Sequence, residues 1–314
     1  MTEHHLLAEP GARQRTTTTD RPSRRPDMLR AQRRAGLALA SPAFVVIGVI
    51  AVIPLLAAIG LSFTDYDMIN PPRWVGLHNY VALLTTGLFW TTVQNTLAFA
   101  VGQIAIGLVV AMGVSILFNR RIYGGAGFRT LIYLPQAASY VAVALVWNLL
   151  LDPFAGPLDK FVHALGGPTI YFLSNSSTAM ISIIVMSIWH NLGYFVLLLL
   201  AGLQSVPLEL IEAAKVDGAA SWRRFIHVTI PSMSEVLTFV IVTWFLWGLQ
   251  MFTQAYVMTG GGPVNATRTV VYLMYDEAFT NLHIGSASAV AVMLFALVVA
   301  SSLVLRVALR GRGN

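Results

Sequence analysis

Six segments of the sequence contain no Asp, Glu, Lys or Arg over 19 to 29 residues each. A helix rises about 1.5 Å per residue, so about 20 apolar residues cross the roughly 30 Å hydrocarbon core of a bilayer. One such run could be a buried helix of a soluble protein, but six in one chain predict an all-α membrane protein with six transmembrane helices. The runs cover residues 37–63, 90–118, 131–151, 179–203, 236–254 and 284–305.

The first run could instead be a signal peptide, because Arg33 and Arg34 precede it and small residues lie near Ser41. Its 27 uncharged residues exceed the apolar region of a signal peptide, so we interpret it as a transmembrane helix. Only 11% of all residues are charged, against about 25% in an average soluble domain, and this agrees with a membrane protein.

Basic residues predict the orientation, since Lys and Arg concentrate on the cytoplasmic side of membrane proteins. With both termini in the cytoplasm, 17 of the 20 Lys and Arg residues lie on the cytoplasmic side, and only Arg73, Lys160 and Arg268 lie outside. Residues 1–36 are basic and poor in apolar side chains, which predicts a disordered cytoplasmic tail. Its arginines could contact anionic lipid headgroups, but a flank that only sets topology is the simpler interpretation. Residues 306–314 are predicted to be a second, short basic cytoplasmic tail.

Several function classes lack the residues that they need. Proton- or sodium-driven transporters usually carry ionisable groups within the membrane, and here the runs hold only His190, with Glu235 at the edge of the fifth. A stand-alone secondary transporter is therefore disfavoured. The sequence has no GxxxxGK[ST] motif, the loop that binds nucleotide phosphates. It also has no cysteine to serve as a nucleophile or metal ligand, and no carboxylate accompanies the single membrane histidine. An intramembrane enzyme is therefore disfavoured too, and energy for pumping would have to come from another chain.

The segment 204–231, between the fourth and fifth runs, has a distinct pattern. Pro207 stands where a first helical turn could begin, helix-favouring residues follow, and Gly218 is a stop signal. The pattern predicts a short helix, a turn at Asp217 and Gly218, and a second helix that leads to Pro231. The residues alone fit an interfacial amphipathic helix as well as a docking element.

This segment resembles the EAA loop of ABC importer permeases. The consensus of that loop is Glu-Ala-Ala, three residues, Gly, nine residues, Ile, one residue and Leu-Pro. In this sequence the matching positions, at the same spacing, are Glu212-Ala213-Ala214, Gly218, Val228 and Ile230-Pro231. The two departures, Val for Ile and Ile for Leu, keep the side chains apolar.

Several shorter segments resemble the corresponding segments in permeases of carbohydrate importers. Among them, the glycine-proline loop is similar to that of the larger maltose permease and the first glycerol phosphate permease. The segments lie at residues 62–66, 75–80, 134–135, 147, 260–267 and 278–279. The resemblance covers residues 37–305. It implies the type I ABC importer permease fold, in the inner (cytoplasmic) membrane of a bacterium.

The resemblance further implies that the helix around Glu212 is a coupling helix, which docks in a cleft of an ATPase subunit. Glu212 would accept a charge-assisted hydrogen bond there. Ala213 and Ala214 would allow close packing, and Gly218 would form the turn. Asp217 is expected to cap the second helix by accepting backbone N–H groups.

Sugar contacts in the family fall after the Leu-Pro of one span, in the span before the EAA loop and in the span after it. Sugars bind to aromatic faces and hydrogen-bond to amides, and the transferred positions hold such side chains. They are Gln136, Tyr140, Ser187, His190, Asn191, Trp244, Trp247 and Met251. Further candidates, which more often bond a neighbouring helix, are Gln94, Asn95, Asn148, Tyr194 and Gln250.

A protonated His190 would favour an anionic substrate. Burial disfavours the charged form of histidine and no arginine lies in a span, so a neutral sugar is the preferred prediction. The first alternative is a glycerol 3-phosphate or glycerophosphodiester permease, and the second is a stand-alone secondary transporter.

The resemblance implies several partners for this chain. They are a second homologous permease subunit, an ABC ATPase dimer, an extracytoplasmic substrate-binding protein, membrane lipid and a small-molecule sugar. ATP and Mg would bind to the ATPase, so we expect no catalytic residue, metal site or cofactor in this chain, and no nucleic-acid partner.

Overall fold

The computed structural model describes residues 25–120 and 124–310. Within these ranges the chain is almost entirely helical. It forms two compact units, Met1–Leu55 and Leu56–Asn314. Residues 1–24 of the predicted N-terminal tail and 311–314 of the C-terminal tail lie outside the described residues.

The first unit consists of a long helix and a π-helical turn. Helix α1 spans Arg25–Ile47, the turn π1 spans Gly48–Val52, and α2 spans Ile53–Leu61 and continues into the second unit. Helix α1 begins at Arg25, so residues 25–36, which the sequence assigned to a disordered tail, are helical. Arg, Ala, Gln and Leu in this stretch favour helix, and they extend the apolar helix that follows.

After α2, the second unit contains a two-stranded antiparallel pair, in which Thr64 pairs with Trp74 and Asp65 with Arg73. The strands are β1 (Thr64–Asp65) and β2 (Arg73–Trp74). The longer helices are α4 (Gly87–Phe118), α8 (Ser176–Gln204), α12 (Ser234–Leu249) and α15 (Ile284–Arg310). The shorter helices are α3 (His78–Thr85), α5 (Gly125–Ala137), α6 (Tyr140–Leu150), α7 (Pro157–Ala164), α9 (Leu208–Val216), α10 (Ser221–Arg224), α11 (Ile230–Ser232), α13 (Thr253–Thr259) and α14 (Val270–Tyr275). Two further π-helical turns are π2 (Phe225–Thr229) and π3 (Asp276–Thr280).

Four helices are long and apolar enough to cross a membrane alone, and six spans result when each of two bent helix pairs counts as one. The single helices are Gly36–Leu61, Gly87–Phe118, Ser176–Gln204 and Ile284–Leu305. The bent pairs are Gly127–Ala137 with Tyr140–Leu150, and Ser221–Ser232 with Ser234–Leu249.

The third predicted span is broken. Helices α5 and α6 meet at an angle of 97°, so the span predicted over residues 131–151 is divided between two helices. Pro135 lies in the last turn of α5, and the backbone becomes extended at Ala138 and Ser139. The Ser139 side chain then accepts a hydrogen bond from the Ala142 amide at 3.3 Å and so caps α6.

The fifth predicted span, residues 236–254, follows one bend in the chain and contains a second break. The chain bends by 74° at Met233, before α12 begins. Helix α12 ends at Leu249, so the predicted run 236–254 contains a second break at residues 250–252, after which α13 starts. Met251, in the middle of this break, is only 2% exposed, so the break is packed against the protein at that residue.

The core of the second unit is the contact of α4, α8 and α12. Trp244 of α12 is fully buried and stacks on Phe195 of α8, with ring centroids 4.0 Å apart. A Cβ atom at Gly107 of α4 would lie 2.4 Å from the indole, and one at Gly248 would lie 2.7 Å from the Ala100 Cα atom. Glycine therefore permits the close approach of α4 and α12, as small residues do in membrane helix pairs.

We expect Gly107→Ala to destabilise the protein. Overpacking a tight core costs about 1–3 kcal/mol, which exceeds the 0.5–1 kcal/mol that alanine gains over glycine in a helix. Gly113→Ala is the matched control on the same helix, because a Cβ atom there would have no side chain and no other element of the protein within 4 Å. The check is the thermal unfolding midpoint of the two purified variants. Equal midpoints for both would contradict this account of the core.

Candidate functional site

The predicted helix and turn in the segment 204–231 are confirmed. Helix α9 ends in a Schellman arrangement, in which the Ala219 amide donates to the Ala214 carbonyl and the Gly218 amide donates to the Lys215 carbonyl, both at 3.0 Å. Gly218 has φ +72°, a left-handed conformation that glycine adopts without strain. The turn therefore needs glycine at this position.

The cap predicted for Asp217 is wrong. Asp217 is the residue that ends α9, and the residue before α10 is Ala220, which offers no side-chain cap. The turn is instead held by Arg224, whose guanidinium donates to the Ala219 carbonyl at 2.5 Å and to the Ser221 hydroxyl at 3.0 Å. An arginine from the second helix thus closes the loop.

Helix α9 presents several side chains to its surroundings. Glu212 and Ala213 are exposed and Ala214 is half-buried, while Leu208 is 72% and Val216 is 88% exposed. Within the described ranges, Glu212 makes no hydrogen bond or ion pair. The carboxylate of Glu212 and the apolar side chains of Leu208 and Val216 are therefore open to solvent in this chain.

A cavity of about 310 Å³ lies where α5, α6, α8, α12 and α13 meet. Its lining holds amide, hydroxyl, aromatic and thioether side chains and no charged group: Gln136, Tyr140, Asn191, Trp247, Gln250, Met251, Phe252, Thr253 and Gln254. Five of the eight predicted substrate residues are among them. The Oε1 atom of Gln136 is buried and has no hydrogen-bond partner among the described residues, so it is free to accept one from a ligand.

Tyr140 is fixed by two neighbours on α8. Its hydroxyl donates to Asn191 Oδ1 at 2.8 Å, and its ring lies 4.0 Å from the His190 ring. The Nε2 atom of His190 lies 3.1 Å from the Ala138 carbonyl oxygen, in the break between α5 and α6. His190 thus supports the cavity wall without lining the cavity.

Two other predicted residues lie away from the cavity. Trp244 is fully buried in the core contact with Phe195. Ser187 is also fully buried, and its hydroxyl has no hydrogen-bond partner in the described part of the chain. The structure therefore places both side chains among the helices.

The additional polar candidates divide into two groups. Asn148 donates to the Val257 carbonyl at 3.0 Å, the bond between elements that such an amide was expected to make. Gln250 lines the cavity. Tyr194 lies beside it, because its ring is 5.2 Å from that of Trp247.

Three lining residues were not predicted, namely Phe252, Thr253 and Gln254. They lie between the end of α12 and the end of the first turn of α13. In one uninterrupted helix over these positions, the three side chains would point in other directions. The signal that could have found them is the run of amides and aromatics from residue 247 to 254.

Asn95 of α4 pins the loop between α13 and α14. Its amide donates to the carbonyl oxygens of Asn265 and Arg268, at 2.7 and 3.0 Å. At the next residue, the Thr96 hydroxyl accepts from the Val270 amide at 3.0 Å. The glycine-proline loop is therefore anchored to a central helix of the core.

A second cavity, of about 730 Å³, lies between α3, π3 and the start of α15. Five titratable side chains line it: Asp65, Tyr66, His78, Glu277 and His283. Glu277 and His283 lie 3.5 Å apart. No predicted site residue belongs to this cavity.

Residues 103–312 match the family described as the binding-protein-dependent transport system inner membrane component. That range is well over half of the sequence. The chain belongs to this family. It is thus a multi-pass membrane protein that serves as a permease subunit and not as an enzyme.

Two relatives and one solved structure show the extent of the likeness. The probable starch degradation products transport system permease protein AmyD of Thermoanaerobacterium thermosulfurigenes is 29% identical over 266 residues, which cover 84% of this chain and 90% of the relative. The sn-glycerol-3-phosphate transport system permease protein UgpA of Yersinia pestis is 34% identical over 228 residues, 72% of this chain and 77% of the relative. A bacterial ABC transporter involved in the import of the acidic polysaccharide alginate aligns with a TM-score of 0.76 at 21% identity, over 90% of this chain and 98% of that one. The type I importer permease fold is thereby confirmed.

We expect Asn95→Ala to loosen the loop over residues 260–269. The change leaves two partly buried carbonyl groups without their donor, at a cost of about 1–3 kcal/mol. Amide hydrogen exchange across the loop should then accelerate by about tenfold, since about 1.4 kcal/mol corresponds to that factor. Gln94→Ala is the control, because Gln94 is exposed on the same helix and makes no hydrogen bond within the described ranges. Unchanged exchange in Asn95→Ala would show that another contact holds the loop.

Proposed function

We propose that this chain is one of two permease subunits of an ABC importer that moves a neutral mono- or oligosaccharide into the cytoplasm. The observation that carries the proposal is the uncharged cavity, which combines the Trp247 and Tyr140 rings with the amides of Gln136, Asn191 and Gln250. Aromatic faces accept the C–H surfaces of a sugar, and amides both donate to and accept from its hydroxyl groups. The importer relatives named for starch degradation products and for trehalose and maltose support this substrate class.

A glycerol phosphate is the alternative, and the relative named for sn-glycerol-3-phosphate is its support. A phosphate in a largely desolvated cavity needs a cationic partner. None of the lining residues is basic, and His190 is turned toward the Ala138 carbonyl and the Tyr140 ring. The lining therefore favours a neutral ligand.

We infer that the partners are those of a binding-protein-dependent importer. A second permease would complete the pathway, and an extracytoplasmic binding protein would deliver the substrate. An ATPase dimer, which would bind ATP and Mg, would receive α9 as the coupling helix. The exposed Leu208 and Val216 flank Glu212 there, so apolar contact and a charge-assisted bond can act together.

The distribution of basic residues supports an inner-membrane location with both termini in the cytoplasm. In that orientation α9 faces the cytoplasm, and the loop between α13 and α14 faces the extracytoplasmic side. Movement of the docked α9 on ATP binding would turn the packed helices as near-rigid bodies. The bends at Ser139 and Met233 separate short segments from the core helices and are the places where such motion can be absorbed.

We expect Trp247→Leu to weaken the response to sugar. Loss of the aromatic face removes about 0.5–1.5 kcal/mol of stacking, which corresponds to about a 2- to 10-fold loss of affinity. The measurement is sugar-stimulated ATPase activity of the complete complex in lipid, across neutral sugars and glycerol 3-phosphate.

Trp189→Leu is the matched control, since Trp189 is 44% and Trp247 38% exposed, but Trp189 packs on Trp147 outside the cavity. Stimulation of the natural protein by phosphorylated ligands alone would favour the glycerol phosphate alternative. Uptake without any ATPase would overturn the importer proposal.

We expect Gly218→Val to uncouple transport from hydrolysis. A β-branched residue at φ +72° is strained by about 1–3 kcal/mol, so the turn after α9 would be lost. Gly218→Asn should retain coupling, because asparagine tolerates the left-handed region. The comparison is uptake in proteoliposomes at equal amounts of inserted complex. Equal uptake by both variants would show that the turn is not needed for coupling.

A further inference from the structure

Four aromatic side chains form a continuous strip beside the cavity, and we call it the aromatic strip: Phe252, Tyr256, Tyr275 and Phe279. Phe252 lies 4.9 Å from Tyr275 and 5.2 Å from Tyr256, measured between ring centroids, and Tyr275 lies 5.1 Å from Phe279. Phe252 also lines the cavity. The strip therefore leads away from the cavity, ring by ring.

One side of the aromatic strip packs against the protein, and the other side is exposed. Tyr272 lies behind the strip, 7% exposed and 5.8 Å from both Phe252 and Tyr256. The Arg268 guanidinium lies 5.5 Å from the Tyr272 ring and pairs with Asp276. Burial raises the pKa of Tyr272, whereas the nearby Arg268 acts in the opposite direction. This ion pair and the cation–π contact hold the backing ring in place.

The open side of the strip consists of Tyr256 and Phe279, which are 46% and 68% exposed. Tyr256 precedes the loop anchored by Asn95 in the sequence, and Phe279 follows it, so the two rings lie on the helical segments that this loop connects. In the proposed orientation, the loop faces the side from which a binding protein delivers the substrate. Large exposed rings beside a ligand cavity indicate a binding surface.

We propose that the aromatic strip is a stacking site for pyranose rings, which receives a sugar on its way to the cavity. The inference rests on the proposed function. The flat faces of Tyr256 and Phe279 would contact the C–H surfaces of the sugar, and the tyrosine hydroxyl groups of the strip would meet its hydroxyl groups. Because the rings are similar, each would bind the sugar weakly and with a similar affinity. The sugar can therefore pass from one ring to the next.

The competing explanation is apolar contact with another chain or with lipid. A groove of about 300 Å³ runs along Phe252, Tyr275 and Phe279 and is lined almost wholly by apolar side chains. An apolar contact needs bulk and not an aromatic face. Leucine would then serve as well as tyrosine or phenylalanine, which gives the two explanations opposite results.

The test uses the complete complex in proteoliposomes with its binding protein, loaded with the neutral sugar that stimulates the natural complex. The readout is the amount of sugar imported per ATP hydrolysed. For Tyr256→Leu and Phe279→Leu we expect this ratio to fall by about 2- to 10-fold, the value of one stacked ring. Tyr256→Phe and Phe279→Trp keep an aromatic face and should retain the ratio.

Tyr171→Leu is the matched control. Tyr171 is 49% exposed and packs on Phe154, which is another exposed aromatic pair outside the cavity. Its ratio should equal that of the natural complex. A second readout is the fluorescence of Phe279→Trp, which should change when free sugar is added and stay constant with an acyclic polyol that has no ring to stack.

Full import by both leucine variants, or no fluorescence response to the sugar, would overturn the strip as a stacking site and leave the cavity proposal intact. Equal losses in the leucine variants and in Tyr171→Leu would also overturn it, since the effect would then not belong to the strip. If the natural complex imports no neutral sugar, the proposed function fails and the strip proposal fails with it.

Discussion

The space that Gly107 leaves for the Trp244 indole holds the central helices together. Without a side chain at that position, α4 comes close enough for the indole to fit between it and Phe195 of α8. Gln103 then donates to the Trp244 carbonyl at 3.0 Å, which adds a polar bond to the apolar contact. Lipid tails are as apolar as the helices, so close packing and such bonds, rather than burial from water, stabilise this core.

Charge-free runs were sufficient to predict the membrane spans, because ionised side chains are excluded from the hydrocarbon region. The breaks inside two of them were not predictable from local sequence. A proline such as Pro135 is tolerated in a membrane helix when neighbours satisfy the freed backbone groups. Here α5 presses on α8 so closely that a Cβ at Gly193 would lie 2.3 Å from the Ile132 carbonyl oxygen. That contact joins residues some 60 positions apart in the sequence.

The local sequence also could not predict fully which side chains line the candidate site. Tyr140, Asn191 and Trp247, which residue type and position marked as candidates, line one cavity. Trp244 is as aromatic as Trp247, but it lies three residues earlier on α12 and faces the core instead. Only the rotation of the helix distinguishes the two. The coupling role proposed for Glu212 rests on the resemblance alone, since that carboxylate is exposed and makes no bond within the described ranges.

The break between α5 and α6 has an electrical consequence. The carbonyl end of α5 and the amide end of α6 both lie at the cavity, where Gln136 and Tyr140 line it. Helix ends carry partial charges of about half an elementary charge, negative at the carbonyl end and positive at the amide end. A cavity without charged side chains thus has a built-in field that can orient a dipolar ligand. The backbone generates that field. Substitutions in the lining can therefore change which ligand fits, while the direction of the field stays the same.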